Sequence, residues 1–351
     1  MKKFLFVDRD GTIIFEPQDS FQVNGLEQLE FIDFVIFALK KFQDSGYEIV
    51  VVSNQDGLGG KDNSKENYDL INNKILQILG SQGVRVFSWL TCPHFKNENC
   101  NCRKPLIGLV ENYIKEIDLE NSLMVGDRDT DIEFGQNLGI KSFKISKDFT
   151  WKNILDEALA RRASVIRKTK ETDIKILLNL DGKGAAKINT GLKFLDHMLE
   201  QVARHGNFDL EILCDGDLQI DEHHTIEDIA ISFGEAFRKA LGNKKGIARF
   251  ASQKIVPLDE ALSFVALDIS SRPFCDFKCE FEREYVGDLP CEMISHFFQS
   301  FAISANVTLH IRIEGKNTHH KVESCFKAFA KCLFDASRVE FDGVISTKGV
   351  L

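Results

Sequence analysis

The chain has 351 residues, of which 43% are hydrophobic and 28% are charged, a composition typical of a globular protein with room for two domains. Its formal net charge of -9 argues against a nucleic-acid-binding protein, which would need a basic surface. The apolar runs are too short for a membrane span or a signal peptide. We therefore expect a cytoplasmic protein, in which clustered cysteines indicate metal binding rather than disulfides.

Residues 1–145 alternate between short apolar runs and segments that are long enough for helices. The apolar runs are Phe4–Val7, Ile49–Ser53, Val84–Leu90, Leu123–Val125 and Ser142–Ile145, and the helical segments include Phe31–Asp44 and Leu106–Ile117. The runs are continuous rather than alternating, as in strands that are buried on both faces. This pattern predicts an α/β domain with a parallel sheet and helices on both of its faces. Ligands of such a domain bind beyond the carboxyl ends of the strands.

The pattern changes at residues 147–168, which predict a last helix followed by a polar, basic connection. We therefore place a boundary near residue 165 and predict domains over residues 1–165 and 166–351. The second domain mixes strand-like runs with helical stretches, which predicts an α+β fold. Its runs are Ile174–Leu180, Asp209–Leu213, Ala261–Ile269 and Thr308–Ile313.

The second domain also contains an internal repeat. In the first copy a single histidine, His197, precedes the sequence HHTIE that begins at His223. In the second copy His296 precedes the sequence HHKVE that begins at His319. Two copies of the same arrangement predict a domain built by internal duplication.

Carboxylates follow two predicted strands of the first domain. Asp8 and Asp10 lie in FLFVDRDGT, and Asp127 lies in GDRDTD after another apolar run. Asp8 and Asp127 would together hold a hard cation, normally Mg²⁺, and of the pair Asp8 and Asp10 one could attack as a nucleophile while the other handles a proton. Ser53 could bind a phosphate, and Lys104 could neutralise charge on a phosphoryl group. Taken alone, DRDGT could also be no more than an acidic turn.

A polar loop, TCPHFKNENCNCRKP, carries four potential metal ligands, Cys92, His94, Cys100 and Cys102. Three thiolates and one imidazole suit a tetrahedral Zn²⁺ with no position left for water, so we predict a structural site. A bound metal would order the loop and position Lys104, which follows it. The alternative is that these residues are ordinary buried thiols.

Each His-His-x-x-Glu motif offers two directions on a helix, because residues i and i+4 share a face and residue i+1 points about 100° away. Two metals can be bound if each takes one His-Glu face, the odd histidine of the other copy and one upstream histidine. The predicted sets are His223, Glu227, His296 and His320 for one metal, and His319, Glu323, His197 and His224 for the other. Three imidazoles and a carboxylate suit Mn²⁺, Fe²⁺ or Zn²⁺.

On these motifs, the first domain resembles the haloacid-dehalogenase-like phosphatases over nearly all of its length. The resemblance implies that Asp8 is the nucleophile that forms an aspartyl-phosphate and that Asp127 is a Mg²⁺ ligand. It also implies that Asp10 is the general acid/base and reaches the metal through its backbone carbonyl, with Asp131 in support. The zinc loop marks a subgroup that includes histidinol-phosphate and heptose-bisphosphate phosphatases, and the loop alone does not choose between them.

The second domain resembles imidazoleglycerol-phosphate dehydratase from about Arg167 to Leu351, in stretches such as NTGLKFLDHMLEQVARHG, DEHHTIEDIAI and GKNTHHKVESCFKAFA. That family is a metal-dependent lyase that normally uses two Mn²⁺ per active site, and it forms a symmetric oligomer of about 24 subunits with sites between chains. The matching positions imply that Glu171 is the carboxylate that moves the proton and that His205 lies in the substrate pocket. They also imply a phosphate-binding group made of Arg249, Arg272, Ser346 and Lys348.

Together the two resemblances imply a bifunctional enzyme of histidine biosynthesis that acts on histidinol phosphate and imidazoleglycerol phosphate. Metals on both ring nitrogens would withdraw charge from the carbon that loses its proton in the dehydration. One alternative is a first domain that is inactive or that acts on another small phosphate ester. The other is a metal-storage or metal-sensing protein, and the phosphate-binding match argues against it.

Overall fold

The computed structural model describes the chain apart from residues 18–22, 24, 61–63, 341–342 and 350–351, and apart from the side chains of residues 252 and 253. The last two residues of the dehydratase-like stretch therefore lie outside the described part. The chain divides into two compact units, Met1–Leu159 and Ala160–Leu351. Among the described residues, no helix has the length and apolar character needed to cross a membrane.

The first unit is a five-stranded parallel sheet with strand order β3-β2-β1-β4-β5, which confirms the predicted α/β architecture. Its strands are β1 (Lys3–Val7), β2 (Tyr47–Asn54), β3 (Val86–Cys92), β4 (Leu123–Gly126) and β5 (Lys141–Lys144). Its α-helices are α1 (Val35–Asp44), α2 (Lys65–Ser81), α3 (Asp129–Leu138) and α4 (Trp151–Ala158). Short 3₁₀ helices cover Leu26–Gln28 and Lys96–Glu98, and a longer one covers Gly108–Glu116 within the segment predicted to be helical.

The continuous apolar runs form strands with two buried faces. In β1, Leu5 and Val7 pack into one hydrophobic cluster, whereas Phe4 and Phe6 pack into another. Successive side chains of a strand point to opposite faces, so the two clusters lie on the two sides of the sheet. Helices α1, α2 and α4 contribute to the first cluster, and α3 and the helix Gly108–Glu116 contribute to the second.

The second unit contains two four-stranded sheets, a two-stranded hairpin and four long helices. Its strands are β6 (Arg162–Lys168), β7 (Thr172–Asn179), β8 (Ala186–Asn189), β9 (Asp209–Gly216), β10 (Phe250–Leu258), β11 (Ala261–Asp268), β12 (Phe274–Lys278), β13 (Tyr285–Val286), β14 (Leu289–Pro290) and β15 (Thr308–Glu314). Its helices are α5 (Lys193–Gly206), α6 (His223–Leu241), α7 (Cys291–Ala305) and α8 (Thr318–Ser337). One hydrophobic core joins the sheets and the helices.

The two sheets have the same topology, which confirms the internal duplication. Their strand orders are β6-β7-β9-β8 and β10-β11-β15-β12. In each sheet the first two strands form an antiparallel hairpin, and the third strand of the repeat runs parallel to the fourth. The single histidines therefore lie on the equivalent helices α5 and α7, and the His-His-x-x-Glu motifs lie at the starts of α6 and α8.

Within residues 147–168, the predicted helix is α4, but the stretch that was predicted to be a polar, basic connection forms strand β6. This strand lies at the edge of its sheet, where it pairs only with β7 among the described strands. Only Val165 is buried, whereas Ile166 is exposed along with Arg162 and Lys168. Charged residues are typical of edge strands, so this strand lacks the apolar pattern by which β7, β9, β11 and β15 were predicted.

Candidate active sites

The carboxyl ends of β1 and β4 bring three carboxylates together. Asp8 directly follows β1, Asp127 directly follows β4, and Asp131 lies in the first turn of α3. One carboxylate oxygen of each lies within 4.8 Å of the others. The buried Lys104 forms an ion pair with Asp8, and its Nζ lies 2.6 Å from Asp131 Oδ1. The predicted residues Asp8, Lys104 and Asp127 thus share one site.

This group suits a divalent cation. Burial raises the pKa of Asp8 to about 8 and that of Asp127 to about 6, because it disfavours the ionised form of each carboxyl group. A cation bound beside them would offset this cost and stabilise the ionised carboxylates. The buried Asp127 Oδ1 has no hydrogen-bond partner among the described residues. Three carboxylates beside one ammonium also leave a formal charge that one divalent ion would balance. Oxygen donors of this kind suit Mg²⁺.

Gly11 leaves the space that the carboxylate of Asp127 occupies. Its φ is +70°, in the left-handed region, and a Cβ atom at this position would lie 2.4 Å from Asp127 Oδ2. Only glycine adopts this conformation at little cost and also clears the carboxylate. The glycine of DRDGT is therefore required by the site as well as by the turn.

Two residues that the sequence reading did not single out hold Asp10. Arg9 Nε and Nη2 donate hydrogen bonds to Asp10 Oδ1 over 3.0 and 2.8 Å. Gln55 Nε2 lies 2.6 Å from Asp10 Oδ2 and 2.8 Å from Ser53 Oγ. Gln55 therefore joins the proposed acid/base to the proposed phosphate-binding hydroxyl. Only their places in the sequence could have indicated these two residues, since Arg9 lies inside DRDGT and Gln55 follows Ser53 by two residues in SNQDG.

The loop Cys92–Cys102 places its four predicted metal ligands around one point. Cys92 Sγ lies 3.6 Å from Cys100 Sγ and 3.3 Å from Cys102 Sγ. His94 Nδ1 lies 3.6 Å from Cys92 Sγ and 3.2 Å from Cys102 Sγ. Zn–S bonds of about 2.3 Å in a tetrahedron separate sulfurs by roughly 3.8 Å, so a small expansion of this group accommodates a zinc ion. All of these cysteines are free thiols.

The same loop forms part of the pocket above Asp8. A cavity of about 800 Å³ is lined by Asp8 and Lys104 together with Cys100 and Arg103. Arg103 Nη1 donates to the carbonyl oxygen of His94 over 3.0 Å. The amide group of Asn54, at the end of β2, bonds to both the N–H and the C=O of Lys104, over 3.0 and 3.2 Å. The backbone of Lys104 is thus fixed by Asn54 of β2 as well as by its attachment to the loop.

The second unit contains two further groups of potential metal ligands. In one, His223, Glu227 and His296 offer ligand atoms within 4.8 Å of one another, and His296 Nε2 lies 3.0 Å from Glu227 Oε1. In the other, His197, His319 and Glu323 do the same, and His319 Nε2 lies 3.0 Å from Glu323 Oε2. Each group combines one His-Glu face with one upstream histidine, as in the predicted sets.

The remaining histidine of each motif, His224 or His320, points away from both groups. His224 Nδ1 lies 3.0 Å from Asp217 Oδ2, and this hydrogen bond raises the pKa of His224. His320 Nδ1 lies 2.8 Å from Glu260 Oε2, which raises the pKa of His320 and lowers that of Glu260 to about 2. Within one chain, neither His224 nor His320 lies in the metal-ligand set that was predicted for it.

The predicted phosphate-binding residues are partly brought together through Asp268, at the end of β11. Arg249 Nε lies 2.8 Å from Asp268 Oδ1, and Arg272 Nη2 lies 4.0 Å from Asp268 Oδ2. Arg249 Nη1 also donates to the carbonyl oxygen of Ile345 over 2.7 Å, beside Ser346. The backbone N–H of Lys348 donates to Ser346 Oγ over 3.2 Å. Asp268 was not predicted from the sequence, although it lies in DISSRPF, four residues before Arg272.

The other two predicted substrate residues lie on different elements. Glu171 is exposed in the turn between β6 and β7, where its carbonyl oxygen accepts the N–H of Asp217 over 3.0 Å. His205 lies near the end of α5, and its Nε2 is 3.2 Å from Gln201 Oε1. Burial and the nearby Lys327 and Lys331 lower the pKa of His205.

Comparison with protein families matches each unit to a different model. Residues 190–333 match the family described as imidazoleglycerol-phosphate dehydratase. Residues 3–171 match the family described as polynucleotide kinase 3 phosphatase. Phosphatases of the haloacid-dehalogenase type and the dehydratases are both metal-dependent, in keeping with the ligand groups above.

Relatives match the whole chain. The histidine biosynthesis bifunctional protein HisB of Campylobacter jejuni is 47% identical over 354 residues, covering 100% of this chain and 99% of the relative. HisB of Legionella pneumophila is 46% identical over 355 residues, covering 100% of both. A crystal structure of IGPD from Pyrococcus furiosus is 34% identical, covers 53% of this chain and 100% of its own, and has a TM-score of 0.47. The chain belongs to the HisB family of bifunctional histidine-biosynthesis proteins.

Proposed function

We propose that the chain catalyses two reactions of histidine biosynthesis at separate sites. The first unit, Met1–Leu159, dephosphorylates histidinol phosphate to histidinol, and the second unit, Ala160–Leu351, dehydrates imidazoleglycerol phosphate to imidazoleacetol phosphate. The observation that carries this proposal is the combination, in one chain, of the Asp8–Lys104–Asp127 group with two His-His-Glu groups. The identity of 47% to a bifunctional relative over the full length supports the same pairing of activities.

In the phosphatase reaction, a carboxylate oxygen of Asp8 attacks the phosphorus atom, and the bond to the alcohol oxygen breaks. Asp10 donates a proton to the departing alcohol and later takes one from the water that hydrolyses the aspartyl-phosphate. Ser53 and Lys104 bind the phosphoryl oxygens. Asp8, Asp127 and the backbone carbonyl of Asp10 would hold the Mg²⁺ that we propose, which would supply positive charge to the phosphoryl group.

In the dehydration, a hydroxyl group leaves from the carbon attached to the imidazole ring, and the carboxylate of Glu171 takes the proton from the neighbouring carbon. The hydroxyl and that proton depart together as water, and the remaining enol moves its hydroxyl proton to the ring-attached carbon to give the ketone. Arg249, Arg272, Ser346 and Lys348 bind the phosphate, and His205 lines the pocket. The two histidine groups would hold the metal ions that we propose to be Mn²⁺, which would stabilise charge that develops on the imidazole ring. Stabilisation of the ring would therefore depend on the ligand groups, whereas removal of the proton depends on Glu171.

We also propose that the dehydratase sites are completed between chains of a homo-oligomer, with about 24 subunits implied by the family resemblance. Each ligand group within one chain has two imidazoles and one carboxylate, whereas His224 and His320 point elsewhere. A histidine from a neighbouring chain would complete each set. Zn²⁺ is proposed for the loop Cys92–Cys102 because three thiolates and one imidazole suit it, and the cytoplasm is proposed as the location.

Two assays on the purified full-length chain test the proposal, one with histidinol phosphate and one with imidazoleglycerol phosphate. We expect turnover of both, the first with Mg²⁺ and the second with Mn²⁺. A chain that dehydrates imidazoleglycerol phosphate but hydrolyses heptose bisphosphate or an oligonucleotide 3′-phosphate better than histidinol phosphate would contradict the phosphatase assignment. A chain that binds Mn²⁺ without dehydrating would contradict the lyase assignment.

A further inference from the structure

The internal duplication places two glutamates at equivalent positions. Glu171 is the residue directly before β7, and Glu260 is the residue directly before β11. Strands β7 and β11 are the second strands of the equivalent antiparallel hairpins. Each hairpin turn is also linked to the remaining histidine of its own repeat. Glu171 bonds through its backbone to Asp217, which contacts His224, and Glu260 bonds directly to His320. The side chains of the two glutamates nevertheless have different surroundings.

Both carboxylate oxygens of Glu260 are engaged. Oε2 lies 2.8 Å from His320 Nδ1. Oε1 accepts the backbone N–H groups of Asn317 and Lys316 over 2.6 and 3.2 Å, immediately before α8. His320 Nε2 lies 3.7 Å from Asp259 Oδ2, beyond hydrogen-bond distance. Glu260 therefore fixes the start of α8 and the ring of His320 at the same time.

In the first repeat, Asp217 performs the corresponding task. Its Oδ2 lies 3.0 Å from His224 Nδ1, and its backbone N–H donates to the carbonyl oxygen of Glu171 over 3.0 Å. The side chain of Glu171 is exposed. Because Asp217 holds the histidine in this repeat, the carboxylate of Glu171 is left for proton transfer, whereas that of Glu260 is not.

We propose that Glu260 is a positioning residue that accepts the Nδ1–H of His320 and so presents the Nε2 lone pair of that ring to a metal ion held by a neighbouring copy. The proposal rests on the proposed dehydratase function. A neutral imidazole carries one proton, and a carboxylate on one nitrogen keeps that proton there. The other nitrogen is then free to ligate, and loss of such support usually costs about 10- to 100-fold in metal affinity.

Substitution by glutamine separates this role from the role at the start of α8. In Glu260→Gln the amide oxygen can still accept the N–H groups of Asn317 and Lys316, which leaves the amide NH₂ facing His320 Nδ1. A donor at that place favours a proton on Nε2, the atom that must ligate. Glu260→Gln should therefore keep the fold and lose metal affinity, whereas Glu260→Ala should lose both supports. Glu314→Gln, at an exposed carboxylate at the end of β15, is the matched control.

The test is a Mn²⁺ titration of the full-length metal-free chains, with thermal unfolding and both activities measured in parallel. We expect Glu260→Gln to bind about one Mn²⁺ per chain with roughly 10- to 100-fold lower affinity. Its unfolding temperature without metal and its phosphatase turnover should match those of wild type and Glu314→Gln. If Glu260→Gln binds Mn²⁺ like wild type, the positioning role is wrong, whether or not Glu260→Ala is impaired. If the wild-type chain neither binds Mn²⁺ nor dehydrates, the proposed function itself has failed.

Discussion

Substitution of Gly11 by alanine should disable the phosphatase through a single displaced carboxylate. The residue has a φ of +70°, and the new Cβ would lie 2.4 Å from Asp127 Oδ2 and 2.7 Å from Asp127 Cγ. Ordinary contacts begin at 3.4 Å, so the carboxylate must move by about 1 Å. A misplacement of about 1 Å in a catalytic group can cost roughly 100-fold in rate. We expect a loss of that order in phosphatase turnover and a higher requirement for Mg²⁺.

The chain provides a matched control in Gly139, at the end of α3. Its φ is +81°, and a Cβ at this position would meet nothing within 4 Å. Both substitutions carry the left-handed backbone penalty, about 1–2 kcal/mol, but only Gly11→Ala displaces Asp127. Chemical denaturation should therefore show a stability loss for both variants, and a Mg²⁺ titration of phosphatase turnover should separate them. The dehydratase activity of the same preparations serves as an internal standard.

The two variants also define the result that would refute this reasoning. If Gly11→Ala and Gly139→Ala retain the same phosphatase turnover and the same Mg²⁺ dependence, the position of the Asp127 carboxylate does not depend on the missing side chain at Gly11. Loss of both activities in Gly11→Ala would likewise contradict the account, because the effect would then be general unfolding.

Three further predictions follow from individual contacts. Asp8→Asn removes the nucleophile while keeping its shape, so phosphatase turnover should vanish and dehydratase turnover should remain; surviving phosphatase activity would exclude Asp8. Cys100→Ser should lower the zinc content by about one ion per chain and weaken the phosphatase, since one ligand of a closed site is lost and Lys104 follows the loop; unchanged zinc in elemental analysis would show that Cys100 is not a ligand. Asp268→Asn should loosen Arg249 and raise the dehydratase KM by roughly tenfold, the equivalent of a charge-assisted hydrogen bond of about 1.5 kcal/mol, and an unchanged KM would contradict that role.

Local patterns were sufficient to predict the parallel sheet and the clustering of its site residues. The buried strands β1 and β4 are continuous apolar runs, and Asp8 and Asp127 follow them directly. Because neighbouring parallel strands end at the same edge, position along the chain was enough to bring these carboxylates together. The internal duplication was predictable for a similar reason, since both copies of the histidine motif retain their residue types and spacing.

The contacts that support these residues were not predictable from the sequence. Gln55, Glu260 and Asp268 are single polar residues whose partners lie far away along the chain, at Asp10, His320 and Arg249. No periodicity marks such a residue, because its role depends on the packing of another element. Strand β6 was missed because a half-exposed edge strand does not carry a continuous apolar run.

Removal and replacement of metal ions tests most directly the claim that one chain carries two independent metal-dependent sites, one of them shared between copies. The chelated protein would be followed by light scattering and both activity assays, first with Mg²⁺ and one Zn²⁺ per chain and then with Mn²⁺, beside a variant with His223 and His319 both changed to alanine. We expect that chelation lowers the mass and stops dehydration, and that Mg²⁺ restores the phosphatase once Zn²⁺ has refilled the loop Cys92–Cys102. We expect Mn²⁺ to restore mass and dehydration in wild type but not in the variant. A variant that still forms a large, metal-loaded oligomer and dehydrates its substrate would contradict the shared-metal site.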